Sequence, residues 1–144
     1  MSSGPYTQAQ VLLIKASEDE AALHATGNPD AVLGFHAQQA VEKLMKALIS
    51  AHLAPFELTH NLMRLSTALQ KLGECLPATP IALSELNDFA VEYRYDLLHQ
   101  QAAPTGSEFI ETVRLIRTHV HARIAALTPD PALEELSNLY RKII

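Results

Sequence analysis

The chain has no tryptophan and a single cysteine, Cys75, in 144 residues. A lone cysteine excludes an intramolecular disulfide and any metal site built from several thiolates. Aromatic residues are few, with four Phe and four Tyr, so the core has to be built mainly from Leu, Ile, Val and Ala. No apolar run approaches the roughly 20 residues that carry a helix across a bilayer. The first residues lack the basic-then-apolar pattern of a secretory signal. The expectation is a cytoplasmic protein with no membrane contact. Positive charge is also lacking: the formal net charge is −5 and the pI is near 5.7. That argues against bulk electrostatic binding of nucleic acid and leaves room for a local basic site touching a few phosphates. There is no His-Glu-x-x-His, no paired-carboxylate motif, no phosphate loop and no serine-nucleophile motif. His119 and His121, two apart on a helix, face nearly opposite sides and make a poor metal pair. No metal and no cofactor are expected.

What is present is helical. Hydrophobic residues make up 48% and charged residues 19% of the chain, which suits one domain over residues 1–144, with a core of about 8–126 and a tail of 127–144. Thr7 and Gln10 read as a capping box opening a first helix over about 8–24, with Val11, Leu12, Ile14 and Leu23 apolar. Ala25-Thr26-Gly27-Asn28 reads as a turn. Asn28-Pro29-Asp30 supplies a cap, a first-position proline and a first-turn acid for a second helix reaching about His52. Thr59 is the expected cap of a third helix through Leu62, Leu65, Leu69 and Leu72, stopped by Gly73. Thr79-Pro80 predicts a fourth, carrying Leu83, Leu86, Phe89 and Ala90 inward to about His99 or Gln100, before Ala102-Ala103-Pro104 breaks it. Thr105 and Glu108 form a second capping box for a fifth helix to about Leu127, with Phe109, Val113, Ile116, Val120 and Ile124. Asp130-Pro131 predicts a short terminal helix. With no strand alternation, these elements predict an all-α, antiparallel up-and-down bundle of about five helices plus a short C-terminal helix.

Two places carry residues suited to chemistry. In Phe35–Leu48 the apolar Phe35, Ala40, Val41, Leu44 and Leu48 make one stripe, and Gln39, Glu42, Lys43 and Lys46 make a polar face. The plain reading of Glu42 and Lys46, four apart with the acid first, is an exposed ion pair contributing about 0.3–0.5 kcal/mol. The second place is Arg94 to His99. An arginine can clamp a phosphate bidentately, and a histidine can move a proton near neutrality. Together they are the parts needed for metal-independent RNA cleavage. Their plain reading is an Arg94 ion pair with Glu92, Asp96 or Glu42, and a helix-end cation at His99. On a regular helix the two side chains would lie about 140° and about 7.5 Å apart. A common site therefore needs either a loosened helix before Pro104 or a second copy of the chain across a two-fold axis. His60, next to the expected cap, is assigned a local turn role.

Phe35-His36-Ala37-Gln38-Gln39-Ala40-Val41-Glu42-Lys43-Leu44-Met45-Lys46-Ala47-Leu48, then Thr59-His60-Asn61-Leu62, then Arg94-Tyr95, resembles in order and separation the HEPN domain (higher eukaryotes and prokaryotes nucleotide-binding) over roughly residues 8–126. The resemblance implies a helical bundle, often a homodimer, whose prokaryotic members frequently pair with a minimal nucleotidyltransferase as toxin and antitoxin. Many members are metal-independent ribonucleases with an Arg-x(4–6)-His motif, which Arg94 and His99 match. The resemblance thus implies catalytic roles for Arg94 and His99, a phosphate clamp and a proton-transfer group, with Gln39, Glu42, Lys43 and Lys46 as nucleotide- or phosphate-binding support. Two positions differ from active members: Tyr95 follows the arginine where a small polar residue is frequent, and Gln101 stands where some toxins have tyrosine. Another branch sharing the Gln-Gln-Ala-x-Glu-Lys and Thr-His signatures is nucleotide-binding. The two expectations are therefore a ribonuclease toxin with RNA as substrate and a non-catalytic nucleotide-binding or protein-interaction module.

Overall fold

The computed structural model describes residues 5–25, 27, 30–90 and 104–127. Among the described residues the elements are α1 (Pro5–Ala22), α2 (Asp30–Ala51), α3 (Leu62–Lys71), α4 (Leu83–Leu86), the 3-10 turn Asn87–Phe89, and the long α5 (Gly106–Leu127). The described residues contain no strand, so the chain is all-α. The Asn28-Pro29 cap, the fourth helix beyond Ala90 and the terminal helix fall outside the described residues.

Helix α2 is the axis of the bundle, packed against α1, α3, the 3-10 turn and α5. Its apolar stripe is buried at Ala40, Val41, Leu44 and Leu48, while Phe35 of the same stripe is half-buried and stands outside the core. Each buried Leu contributes about 1.5–3 kcal/mol relative to exposure. Ala37, Ala40, Ala47 and Ala51 are buried too, and such short side chains let neighbouring helices come close. The polar positions depart from the expectation. Gln38, Glu42, Lys46 and Ser50, spaced four apart, are all buried. The Glu42–Lys46 pair is thus an interior feature and not a solvated one. Ser50 meets Gln8 at 3.3 Å, and Asp19 meets His36, so the start of α1 lies beside the end of α2 and the two run antiparallel.

Local chemistry sets the ends of the other helices. Helix α1 begins at Pro5, ahead of the Thr7 box, as suits a residue whose missing N–H costs nothing in a first turn. It turns Leu23 inward and leaves Val11 and Ile14 exposed. Helix α3 is capped by Asn61, whose side chain accepts from the Met63 and Arg64 amides, while Thr59 accepts from the Asn61 amide. Gly73 stops α3 at φ +84°, and the Glu74 amide reaches back to Leu69 O at 2.9 Å, the left-handed closure that glycine permits. The fourth helix starts at Leu83 and not at Pro80. The Thr79 hydroxyl donates to Ile81 O, and the Ile81 amide donates to Thr112 of α5, which holds this stretch outside the helix. Helix α5 opens on the Thr105–Glu108 box in both directions, at 2.9 and 3.2 Å, and buries Phe109, Val113, Ile116 and Val120.

The turn before residues 91–103 is fixed against α2. Phe89 stacks edge-on to Phe109, with ring centroids 5.2 Å apart, and lies over Gly34. A Cβ at Gly34 would sit 2.1 Å from the Phe89 ring, so only glycine allows this approach. Asn87 Oδ1 accepts from the Leu62 amide at 2.8 Å and ties the same turn to the start of α3.

Candidate functional site

The polar face of α2 divides into two groups. On the α1 side, Lys43 Nζ donates to Asp19, and His36 Nδ1 shares that carboxylate at 2.9 Å. On the α3 side, Glu42 is the hub. Lys46 Nζ donates to it at 2.9 Å, Gln38 Nε2 at 3.3 Å, and His60 Nδ1 lies 3.0 Å away. Gln38 Nε2 also donates to the His60 carbonyl at 2.9 Å, and Gln39 donates to Gln38 at 2.7 Å. Lys46 Nζ lies 5.5 Å from the centre of the Phe56 ring, within cation–π range.

Burial gives this arrangement its weight. The Glu42 and Lys46 side chains are 4% and 11% exposed. Two charges withdrawn from water cost several kcal/mol unless pairing and hydrogen bonds offset the loss. Here one carboxylate is served by an ammonium, an amide and an imidazole. The His60 side chain, by contrast, is 75% exposed. Because a carboxylate accepts, the contact assigns the ring N–H to Nδ1 and leaves Nε2 as the free nitrogen. The imidazole is thus fixed from below by a buried acid and open above. Sequence reasoning gave His60 only a turn role. The Glu42–His60 contact spans eighteen residues, and no local pattern announces it.

A second cluster closes the far end of the bundle. Glu74 takes the Arg123 guanidinium at 2.9 Å through Nε and 3.0 Å through Nη2, and His52 Nε2 at 2.7 Å. The Arg123 hydrogen bonds, helped by His52, hold the Glu74 carboxyl below the usual carboxylate range, with burial opposing them. Among the described residues no group of three or more His, Cys, Asp or Glu side chains could hold a metal ion. Gln39, Glu42 and Lys46 thus share one hydrogen-bonded group, while Lys43 belongs to the other, with Asp19 and His36. Arg94 and His99 lie outside the described residues.

The sequence model of the HEPN domain matches residues 9–123. The chain belongs to the HEPN domain family. No curated protein matches it, nor does any solved structure. The HEPN match spans most of α1 through most of α5, and Arg94 and His99 fall inside it. No described helix of this HEPN protein is long and apolar enough to cross a membrane.

Proposed function

We propose that this HEPN protein is a metal-independent ribonuclease, the toxin partner of a minimal nucleotidyltransferase, with its site completed between two copies of the chain. Arg94 clamps the scissile phosphate and His99 takes the proton from the attacking 2′-hydroxyl. The observation that carries this reading is the neutralisation of the α2 lysines. Lys43 is matched by Asp19 and Lys46 by Glu42, so neither brings an uncompensated charge to a phosphate. Within the matched range, Arg94 and His99 are the pair whose chemistry suits the reaction. Gln39, Glu42, Lys43 and Lys46 then form one wall of the site.

The test is RNA cleavage by purified protein beside Arg94→Ala and His99→Ala. Each substitution is expected to lower the rate about 10²–10⁴-fold, the usual contribution of a proton-transfer group. Mixing the two variants should restore part of the activity, because one subunit supplies the arginine and the other the histidine. Equal rates in all three proteins would remove both roles. A second reading, a non-catalytic nucleotide-binding module, is favoured by the net charge of −5. It predicts nucleotide binding with no RNA turnover in the unaltered protein.

A further inference from the structure

Among the described residues every Lys and Arg but one lies against a carboxylate. The exception is Lys71, an exposed side chain in the last turn of α3. A cation there complements the helix dipole, and that role needs no further group around it. Lys71, however, lines an open cleft of about 360 Å³ together with Glu57, Arg64, Leu65, Thr67 and Ala68. Arg64 and Lys71 are seven apart, so they share one face of α3 about 10.5 Å apart along its axis, with Thr67 between them. The buried Leu65 and the half-buried Ala68 make an apolar floor. Arg64 already holds an anion. The Glu57 carboxylate accepts from its fork, at 2.5 Å from Nε and 2.7 Å from Nη2. Those hydrogen bonds hold the Glu57 carboxyl below the usual carboxylate range.

We propose that this cleft binds a phosphate monoester carried on a small hydroxylated carbon skeleton, with Arg64 and Lys71 as its two cations. The charges select the ligand. A carboxylate is matched by Arg64 alone, as Glu57 shows, and leaves Lys71 unmet. A phosphodiester likewise brings a single charge. A monoester carries about −1.5 to −2 at pH 7, which the two cations meet together once Glu57 turns away. The guanidinium fork suits two phosphate oxygens, and the ammonium takes a third as a point charge. Thr67 Oγ1 donates to Met63 O at 3.0 Å, so its lone pairs are left to accept from a ligand hydroxyl. Leu65 and Ala68 meet the carbon skeleton. Glu57 is then an internal competitor that occupies the arginine until the ligand displaces it. The site takes in neither Arg94 nor His99, so it stands apart from the ribonuclease reading.

Calorimetric titration of the full chain with ribose 5-phosphate tests this. Saturable one-to-one binding is expected. Arg64→Ala and Lys71→Ala should each weaken it about tenfold, the loss of one charge-assisted contact at an exposed site. Arg64→Lys, which keeps the charge and loses the fork, should fall between. Glu57→Gln removes the competitor and should tighten binding. Glu111→Gln frees Arg114 on α5 in the same way and should change nothing, which separates the cleft from a general effect of net charge. Inorganic phosphate should bind more weakly than ribose 5-phosphate, because it lacks the carbon skeleton. A deoxynucleotide trimer without a terminal phosphate, which offers only diesters, should bind more weakly still. The altered side chains are exposed, and a far-ultraviolet spectrum of each variant checks that the helices are intact. Three results would each overturn the proposal. One is no binding of ribose 5-phosphate even by Glu57→Gln. Another is equal affinity in the unaltered protein, Arg64→Ala and Lys71→Ala. The third is inorganic phosphate or the trimer binding as tightly as ribose 5-phosphate. None of these results bears on RNA cleavage, whose own test is separate.

Discussion

Glu42 and Glu74 are the same chemical idea used in two ways. Each is a buried carboxylate, 4% and 3% exposed at the side chain, and each holds one cation and one histidine. At Glu74 the histidine is mostly buried and the cation is half out. His52 is 15% and Arg123 40% exposed. The cluster joins the end of α2, the stop of α3 and the last turns of α5. At Glu42 the order is reversed. The cation is buried and the histidine stands in solvent. A closed cluster of this kind fastens helices. An open one presents an imidazole to solvent.

The largest expected break in the comparison is Glu42→Ala against Glu74→Ala. Removing Glu42 leaves the Lys46 ammonium in the interior beside the Phe56 ring without its carboxylate, and an uncompensated buried charge costs about 3–5 kcal/mol. Removing Glu74 leaves Arg123, which can turn into water, so the loss should be nearer the 1–3 kcal/mol of unsatisfied hydrogen-bonding groups, roughly. Urea denaturation of both variants measures the difference. If stranded charge is the cause, Glu42→Met with Lys46→Met should recover most of the stability, since apolar replacement of a whole buried pair is often neutral. Equal losses at the two glutamates would show that the exposure of the cation does not decide the cost.

Acid sharpens the comparison by a smaller amount. Arg123 and His52 hold the Glu74 carboxyl below its ordinary value, so the folded state binds its proton less readily than the unfolded chain does. The stabilisation is fully present above the unfolded carboxylate pKa of about 4.3 and is lost as pH falls through the lower folded value. Glu74→Gln should therefore be less stable than the unaltered protein at pH 6, and the gap should narrow as pH is taken from about 5 toward about 3, well into carboxylate protonation. A gap that stays constant in urea midpoints over that range would mean that the lowered pKa does not contribute to folding.

Much of the frame was legible because it rests on local chemistry. The Thr105–Glu108 box, the Gly73 stop and the apolar spacing of α2 and α5 are each decided within a few residues, and each stands as the spacing predicts. What was not legible depends on partners far along the chain. Thr59 and Asn61 are both good caps, and the choice goes to Asn61 in the setting where Asn87, from another turn, takes the Leu62 amide. Pro80 signals a helix start, yet the Ile81 amide is taken by Thr112 of α5. The face carrying Glu42 and Lys46 reads as solvated because periodicity counts polar residues as outside. Only the approach of α1 and of the chain before α3 covers it. His60 reads as a turn residue for the same reason, since its partner lies eighteen residues back.

The smallest effect belongs to ion pairs that lie wholly in solvent, and they set the baseline for the other two. Arg114 grips Glu111 with two hydrogen bonds, at 2.8 and 2.6 Å, a shorter contact than Arg123 makes with Glu74. Distance alone would rank it first. Both its side chains are exposed, however, so water competes for the same groups and salt screens what attraction remains. Arg114→Ala should shift the urea midpoint very little, and raising the salt concentration in the titration should remove most of that shift. Glu42→Ala should keep nearly its full cost at high salt, because no counter-ion reaches Lys46. If Arg114→Ala proved as costly as Glu42→Ala, or equally resistant to salt, bond geometry and not burial would be what separates the strong clusters of this bundle from its weak ones.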